Sequence, residues 1–122
     1  SLPWAVGRHL RRYSKCVIVP SPTQRSLAHM RALGATVVVV ERWCPFSKRR
    51  IDLFNCLDLV ALLDGETIGI QTTSLSNVSA RVAKITASEH LPALRRAGWR
   101  LVVHGWGKNA AGKWVLREVD VS

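Results

Sequence analysis

Asp58 and Gln71 carry side-chain oxygens at matching distances from one turn, a spacing that suits a hard divalent cation. The stretch Cys56–Leu63 is mostly apolar, Asp64-Gly65 follows, and Glu66–Thr72 resumes with Thr67, Ile68 and Ile70. Asp-Gly between two such runs signals a two-residue hairpin turn, because a type I′ turn needs positive φ at both central positions. A turn closed that way pairs Leu63 with Glu66, Val60 with Gly69 and Asp58 with Gln71. Residues directly opposed on neighbouring strands share a sheet face, with Cβ atoms about 4.5–5.5 Å apart. A carboxylate and an amide oxygen then converge among apolar neighbours, where an unpaired carboxylate is costly to bury. A cation, a salt bridge or a hydrogen bond would each relieve that cost. Glu66 and Asp64 lie at the turn end and are excluded from the same site.

Other elements must position this pair. Ser21-Pro22-Thr23-Gln24 reads as a capping box with proline at the first helical position; Leu27, Met30 and Leu33 follow at helical spacing, and Gly34 terminates the helix. Thr36–Val40 is a β-branched run without alternation, which predicts a strand covered on both faces. Cys44–Arg50 reads as a loop. After the hairpin, a helix near Ser76 turns Val78, Val82 and Ile85 inward, with Arg81 and Lys84 on another side. Pro92 starts or bends a further helical turn that Gly98 ends. Trp99–His104 is the next strand, Gly105–Gly112 a loop and Lys113–Val119 the last strand. The order predicts a three-layer α/β domain, a mixed sheet between helices.

That order, with Asp58 opening the second core strand and Gln71-Thr72-Thr73 closing the third, resembles the PD-(D/E)xK nuclease superfamily of restriction endonucleases, Holliday-junction resolvases and repair nucleases. Ile51–Ala61 is similar to the lead-in to the catalytic Asp of resolvase-like members, and the resemblance covers roughly residues 21 to 120. It implies a restriction endonuclease-like αβββαβ core and Mg²⁺- or Mn²⁺-dependent hydrolysis of phosphodiester bonds in DNA, with branched or repair intermediates as candidate substrates. The implied catalytic positions are Asp58, Gln71 and Thr73. The implied metal ligands are Asp58, Gln71 and the main-chain carbonyl near Thr72. Gln71 stands where the family has an acid, and Thr73 where it has a lysine. Lys84, on the following helix, is a candidate for a relocated ammonium. Glu41 and Gln24 occupy places where some members add a ligand. Two other functions stay open: a nucleic-acid-binding module without catalysis, and an RNA-directed nuclease such as a toxin domain.

Charge agrees with a nucleic-acid partner. The chain of 122 residues carries net +10, and residues 1 to 50 hold ten basic residues against Glu41 alone. Such a field attracts phosphate backbones. Lys48, Arg49 and Arg50 are the leading phosphate contacts, with Lys84 beside them, and Trp43, Trp106 and Trp114 are candidate stacking platforms. Residues 1 to 20 form a basic arm or extra elements ahead of a domain at 21 to 122. A start at Ser1 rather than Met suggests a trimmed or excised chain.

No apolar run reaches the ~20 residues of a membrane span, so the expectation is a cytoplasmic protein without a membrane partner; a homodimer is left open. Cys16, Cys44 and Cys56 lack zinc-ligand spacing and read as small buried side chains. His9, His29, His90 and His104 show no metal-ligand spacing and are assigned no role.

Overall fold

A computed structural model describes residues 20–122. The expected arm at residues 1 to 20, Cys16 and His9 included, lies almost entirely outside the described residues. The described chain is α/β. Helix α1 (Pro22–Ala32) precedes β1 (Thr36–Val39), a short hairpin of β2 (Arg42–Cys44) and β3 (Arg49–Ile51), then β4 (Leu59–Leu63) and β5 (Glu66–Ser74). A 3₁₀ turn at Leu75–Asn77 leads into α2 (Val78–Thr86), α3 (Leu91–Arg96), β6 (Arg100–Lys108) and β7 (Trp114–Asp120). Five strands form one mixed sheet in the order β1-β4-β5-β6-β7. Among the described strands only β5 and β6 run parallel, which requires the crossover that α2 and α3 supply.

The sheet is covered on both faces by alternation of its side chains. Leu27 and Met30 of α1 pack on Leu59, Ala61, Ile68, Ile70 and Val102. On the other face, Val78, Ile85, Leu91 and Leu94 pack on Leu57, Leu101 and Val103. Neighbours Val102 and Val103 thus serve opposite cores, as a period of two requires. The hairpin turn forms as expected: Asp64 has φ 52° and Gly65 φ 79°, and Leu63 pairs with Glu66 and Val60 with Gly69.

Helix α1 starts as its sequence dictates. Ser21 Oγ accepts the Gln24 amide at 3.2 Å and Pro22 occupies the first turn. Gln24 itself stays exposed, so the reciprocal half of the box is unused. Thr23 and Ser26 join Leu27 and Met30 on the buried face, whereas Leu33 is the C-cap and is 55% exposed. The helix ends at Ala32, and Leu33 just past it is left in water.

Three expectations are corrected. Thr36–Val40 is not covered on both faces: β1 is an edge strand among the described residues, pairing with β4, with Val38 56% exposed. Its β-branched run reflects strand propensity, not two-sided burial. Cys44–Arg50 is not simply a loop, because its ends pair as the β2–β3 hairpin and only Pro45–Lys48 turn. Cys44 is accordingly half-buried, while Cys56 is buried.

The third correction concerns Gly105 and Gly107, which sit inside β6 and not in a loop. A Cβ on Gly105 would lie 2.1 Å from Val78 Cγ2, and one on Gly107 2.7 Å from Leu75 Cβ. Glycine in a strand interior marks close approach of another element. Here it lets the 3₁₀ turn and the start of α2 lie directly on β6.

Candidate metal centre

The candidate centre lies just before β4 enters the sheet. The recorded register ends at Leu59↔Ile70; Asp58 bends away with its N–H donating to the Ile70 carbonyl at 2.9 Å. Its carboxylate reaches across to β5, where Oδ2 accepts from Gln71 Nε2 at 2.8 Å, from Thr72 N–H at 2.8 Å and from the Thr72 hydroxyl at 3.0 Å. Thr23 Oγ1 stands 2.9 Å from Thr72 Oγ1, tying the start of α1 to the same group. Since Thr72 donates its proton to Asp58, Thr23 must donate to Thr72. Asp58 is therefore oriented by two strands and a helix, and the adjacency with Gln71 expected from the hairpin count is present.

Two further carboxylates converge on it. Glu41, just after β1, and Asp52, just after β3, each place an oxygen so that theirs and one of Asp58 all lie within 4.8 Å of one another. This acidic triad could hold a metal ion. Gln71 is 1% exposed, and its Oε1 is buried without a hydrogen-bond partner among the described residues. The three carboxylates are hard oxygen donors, the kind Mg²⁺ and Mn²⁺ prefer, while Gln71 turns its amide N–H and not its oxygen toward Asp58. The group opens into a cleft of about 370 Å³ whose walls include Thr23, Thr73 and Arg81.

The electrostatics are those of crowded acids. Burial first, then the neighbouring Asp58 charge, raises Asp52 to about 6, with Lys84 and Arg81 pulling the other way. Asp58 is also raised, chiefly by burial and further by Glu41, against the opposing hydrogen bonds from Thr72. Asp52 and Asp58 therefore keep their protons to higher pH than ordinary carboxylates do.

The other sequence candidates distribute unevenly. Thr73 is buried and lines the cleft. Lys84 and Arg49 line an adjoining cleft of about 370 Å³ that Asp52 shares, and Arg50, also there, pairs with Glu41 at 3.5 Å. Lys48 sits exposed at the hairpin turn with φ 52°. Gln24 is not brought to the cleft. Two residues escaped the sequence reading. Asp52 stands only in the lead-in to Asp58, and Arg81 falls on a side of its helix other than the inward one. Their signal was proximity in the fold, which neither local pattern contains.

The tryptophans are mostly spoken for. Trp114 lies under the Arg25 guanidinium, 3.4 Å from the ring centre. Trp106 is not free between its glycines: its Nε1–H donates to Ser26 Oγ at 2.8 Å. Trp43 alone of the three is more than half exposed, at 58%.

The same Ser26 anchors a histidine to which the sequence assigned no role. His104 is fully buried; Nδ1 lies 2.9 Å from Ser26 Oγ and Nε2 2.9 Å from Glu118 Oε2. Because Trp106 donates to Ser26, the serine proton goes to Nδ1 and Nε2–H donates to Glu118. Burial lowers the His104 pKa, against the pull of Glu118. A lowered histidine contributes stability that is present above its ordinary value near 6.5 and is lost as pH falls through the folded value. Melting temperature should therefore drop on acidification from about pH 6.5, at no more than about 1.4 kcal/mol per pH unit for one proton. In His104→Gln that part of the drop should vanish, as scanning calorimetry across pH would read; an unchanged profile refutes the assignment.

No protein-family model, curated protein or solved structure matches the chain. Among the described residues, no helix is long and apolar enough to cross a membrane.

Proposed function

We propose that this chain is a metal-dependent nuclease domain with a restriction endonuclease-like core, acting on DNA. The observation that carries the reading is the convergence of Asp58, Asp52 and Glu41 in one cleft that Gln71 also lines, near a second cleft lined with Arg49, Arg50 and Lys84. The element order, a helix, three antiparallel strands with an inserted hairpin, helices and a parallel strand, supports it.

A bound Mg²⁺ or Mn²⁺ would supply a coordinated water of lowered pKa and neutralise charge on a phosphate. Asp58, held by three donors, would fix the position of the ion. Glu41 and Asp52 would complete its anionic shell, with the Gln71 amide N–H holding Asp58 Oδ2 in place. Thr73 supplies no ammonium at the family's lysine position. Arg81 brings a permanent cation to the same cleft, where it can face a phosphate oxygen.

The direct test is nicking of supercoiled plasmid, with branched DNA and structured RNA in parallel, in Mg²⁺, Mn²⁺ and EDTA. Cleavage should require the cation. Gln71→Glu should raise activity or metal affinity by adding a charged ligand, and Thr73→Lys on top should raise activity further. If wild type and the double variant are inert on every substrate, the domain is a binding module instead.

Binding itself should be salt-sensitive. The logarithm of duplex affinity should fall with the logarithm of salt at about −0.9 per phosphate neutralised. Replacing Lys48, Arg49 and Arg50 by alanine should flatten the slope by about 1.8 if Lys48 and Arg49 each meet one phosphate. Arg50 contributes less because Glu41 already pairs it. Binding that is absent at low salt would remove the nucleic-acid reading.

A further inference from the structure

Beyond the basic cleft lies a pocket of different chemistry. Phe54, His90, Ala93, Leu94, Ala97 and Trp99 line a cavity of about 250 Å³. Phe54 stands 5.6 Å from the His90 ring and 6.4 Å from Trp99, edge-on to the indole, and is itself 43% exposed. Ala93 and Ala97 keep the helical wall small, which leaves the space open. Drug-sized ligands occupy roughly 300–1,000 Å³, so this cavity suits one ring system.

The loop that presents Phe54 is unusual. Phe54 and Asn55 both have positive φ, 53° and 58°, a conformation rare for a bulky side chain. The turn is held by Asn55 N–H to the Asp52 carbonyl at 3.0 Å and by Leu57 N–H to the Leu53 carbonyl at 3.0 Å. Its register places Asp52 in the acidic cleft, Asn55 in the basic cleft and Phe54 against the aromatic pocket. Carboxylates, cations and aromatic rings therefore succeed one another within a few residues of chain.

From this succession we infer that the pocket receives one unpaired nucleobase of the nucleic-acid strand whose phosphate lies on Arg49, Arg50 and Lys84. Stacking on Phe54 would hold the base, and every base offers a π face, so the contact tolerates sequence. The inference rests on the nucleic-acid reading above and deepens it: the preferred substrate has an unpaired nucleotide next to the bond attacked.

The test uses the full chain in EDTA at low salt. Fluorescence anisotropy compares a short oligothymidylate with an oligomer of equal length and charge made only of abasic residues. The wild type should bind the oligothymidylate about tenfold more tightly, within the range that stacking of one base supports. Phe54→Ala should bring the two affinities together while leaving the abasic affinity unchanged, and Phe54→Tyr should keep the preference. Equal affinities in the wild type overturn the inference. So does a preference that survives Phe54→Ala, which assigns stacking to another ring such as Trp43. Failure to bind either oligomer sinks the nucleic-acid reading as well, whereas metal-dependent nicking with no base preference sinks only this pocket's role.

Discussion

Asp58→Asn is expected to lower cleavage by on the order of 10²–10³ in rate, the scale seen when a site loses a principal electrostatic contact, while duplex affinity holds or rises slightly. The asparagine keeps an oxygen for the Thr72 N–H and hydroxyl, so the local geometry should survive. What disappears is the charge that anchors the ion. Because burial and Glu41 already raise Asp58, the neutral isostere should melt at or above wild type without metal at neutral pH. Mn²⁺ should then raise the melting temperature of wild type and not of the variant.

The pH dependence carries the same sign. Asp52 is raised to about 6, so in the cation-free protein its contribution is full below the ordinary carboxylate range near 4 and is lost as pH rises through about 6. Mn²⁺ should reverse that loss, with a stabilisation that grows from pH 5 to 7 as protons leave the ligands. Equal Mn²⁺ shifts in wild type and Asp58→Asn, or cleavage that survives both EDTA and the substitution, would place the chemistry elsewhere.

The second large effect is structural. Gly105→Ala should destabilise the domain by about 3 kcal/mol or more, at the upper end for overpacking, which for about a hundred residues is a fall in melting temperature of roughly 12–24 °C. The added Cβ would sit 2.1 Å from Val78 Cγ2, at the first residue of α2, where the backbone is pinned by the preceding 3₁₀ turn. Gly105 also pairs with Thr73, so the clash falls next to the cleft. Val78→Ala removes the offending methyl and should rescue much of the loss in the double variant. Costs that simply add would show that the two positions do not meet and that the glycine serves another purpose.

How much was legible follows from how local each feature is. Asp58 and Gln71 could be matched from the sequence because one two-residue turn fixes their register. Glu41 and Asp52 could not, since they arrive from separate strand ends and only the tertiary fold sets them beside Asp58. His104 was opaque for the same reason: its partners Ser26 and Glu118 lie 78 and 14 residues away. Leu33 and Val38 of β1 are exposed although apolar, because a helix end and a sheet edge both leave such residues in water. Gly105 and Gly107 looked like loop residues because composition does not distinguish a turn from a strand under a close neighbour.

The Asp64-Gly65 turn makes the hairpin a ruler, and this constrains evolution by length as well as by residue identity. One residue inserted into β4 or β5 between the turn and this pair would shift the register and send Asp58 or Gln71 to the opposite face. The segment between them should therefore resist insertions and deletions among descendants of this chain even where its side chains drift. The β2–β3 hairpin is a second, shorter ruler of the same kind, since Arg42 pairs with Ile51 and so sets Glu41 beside Asp52.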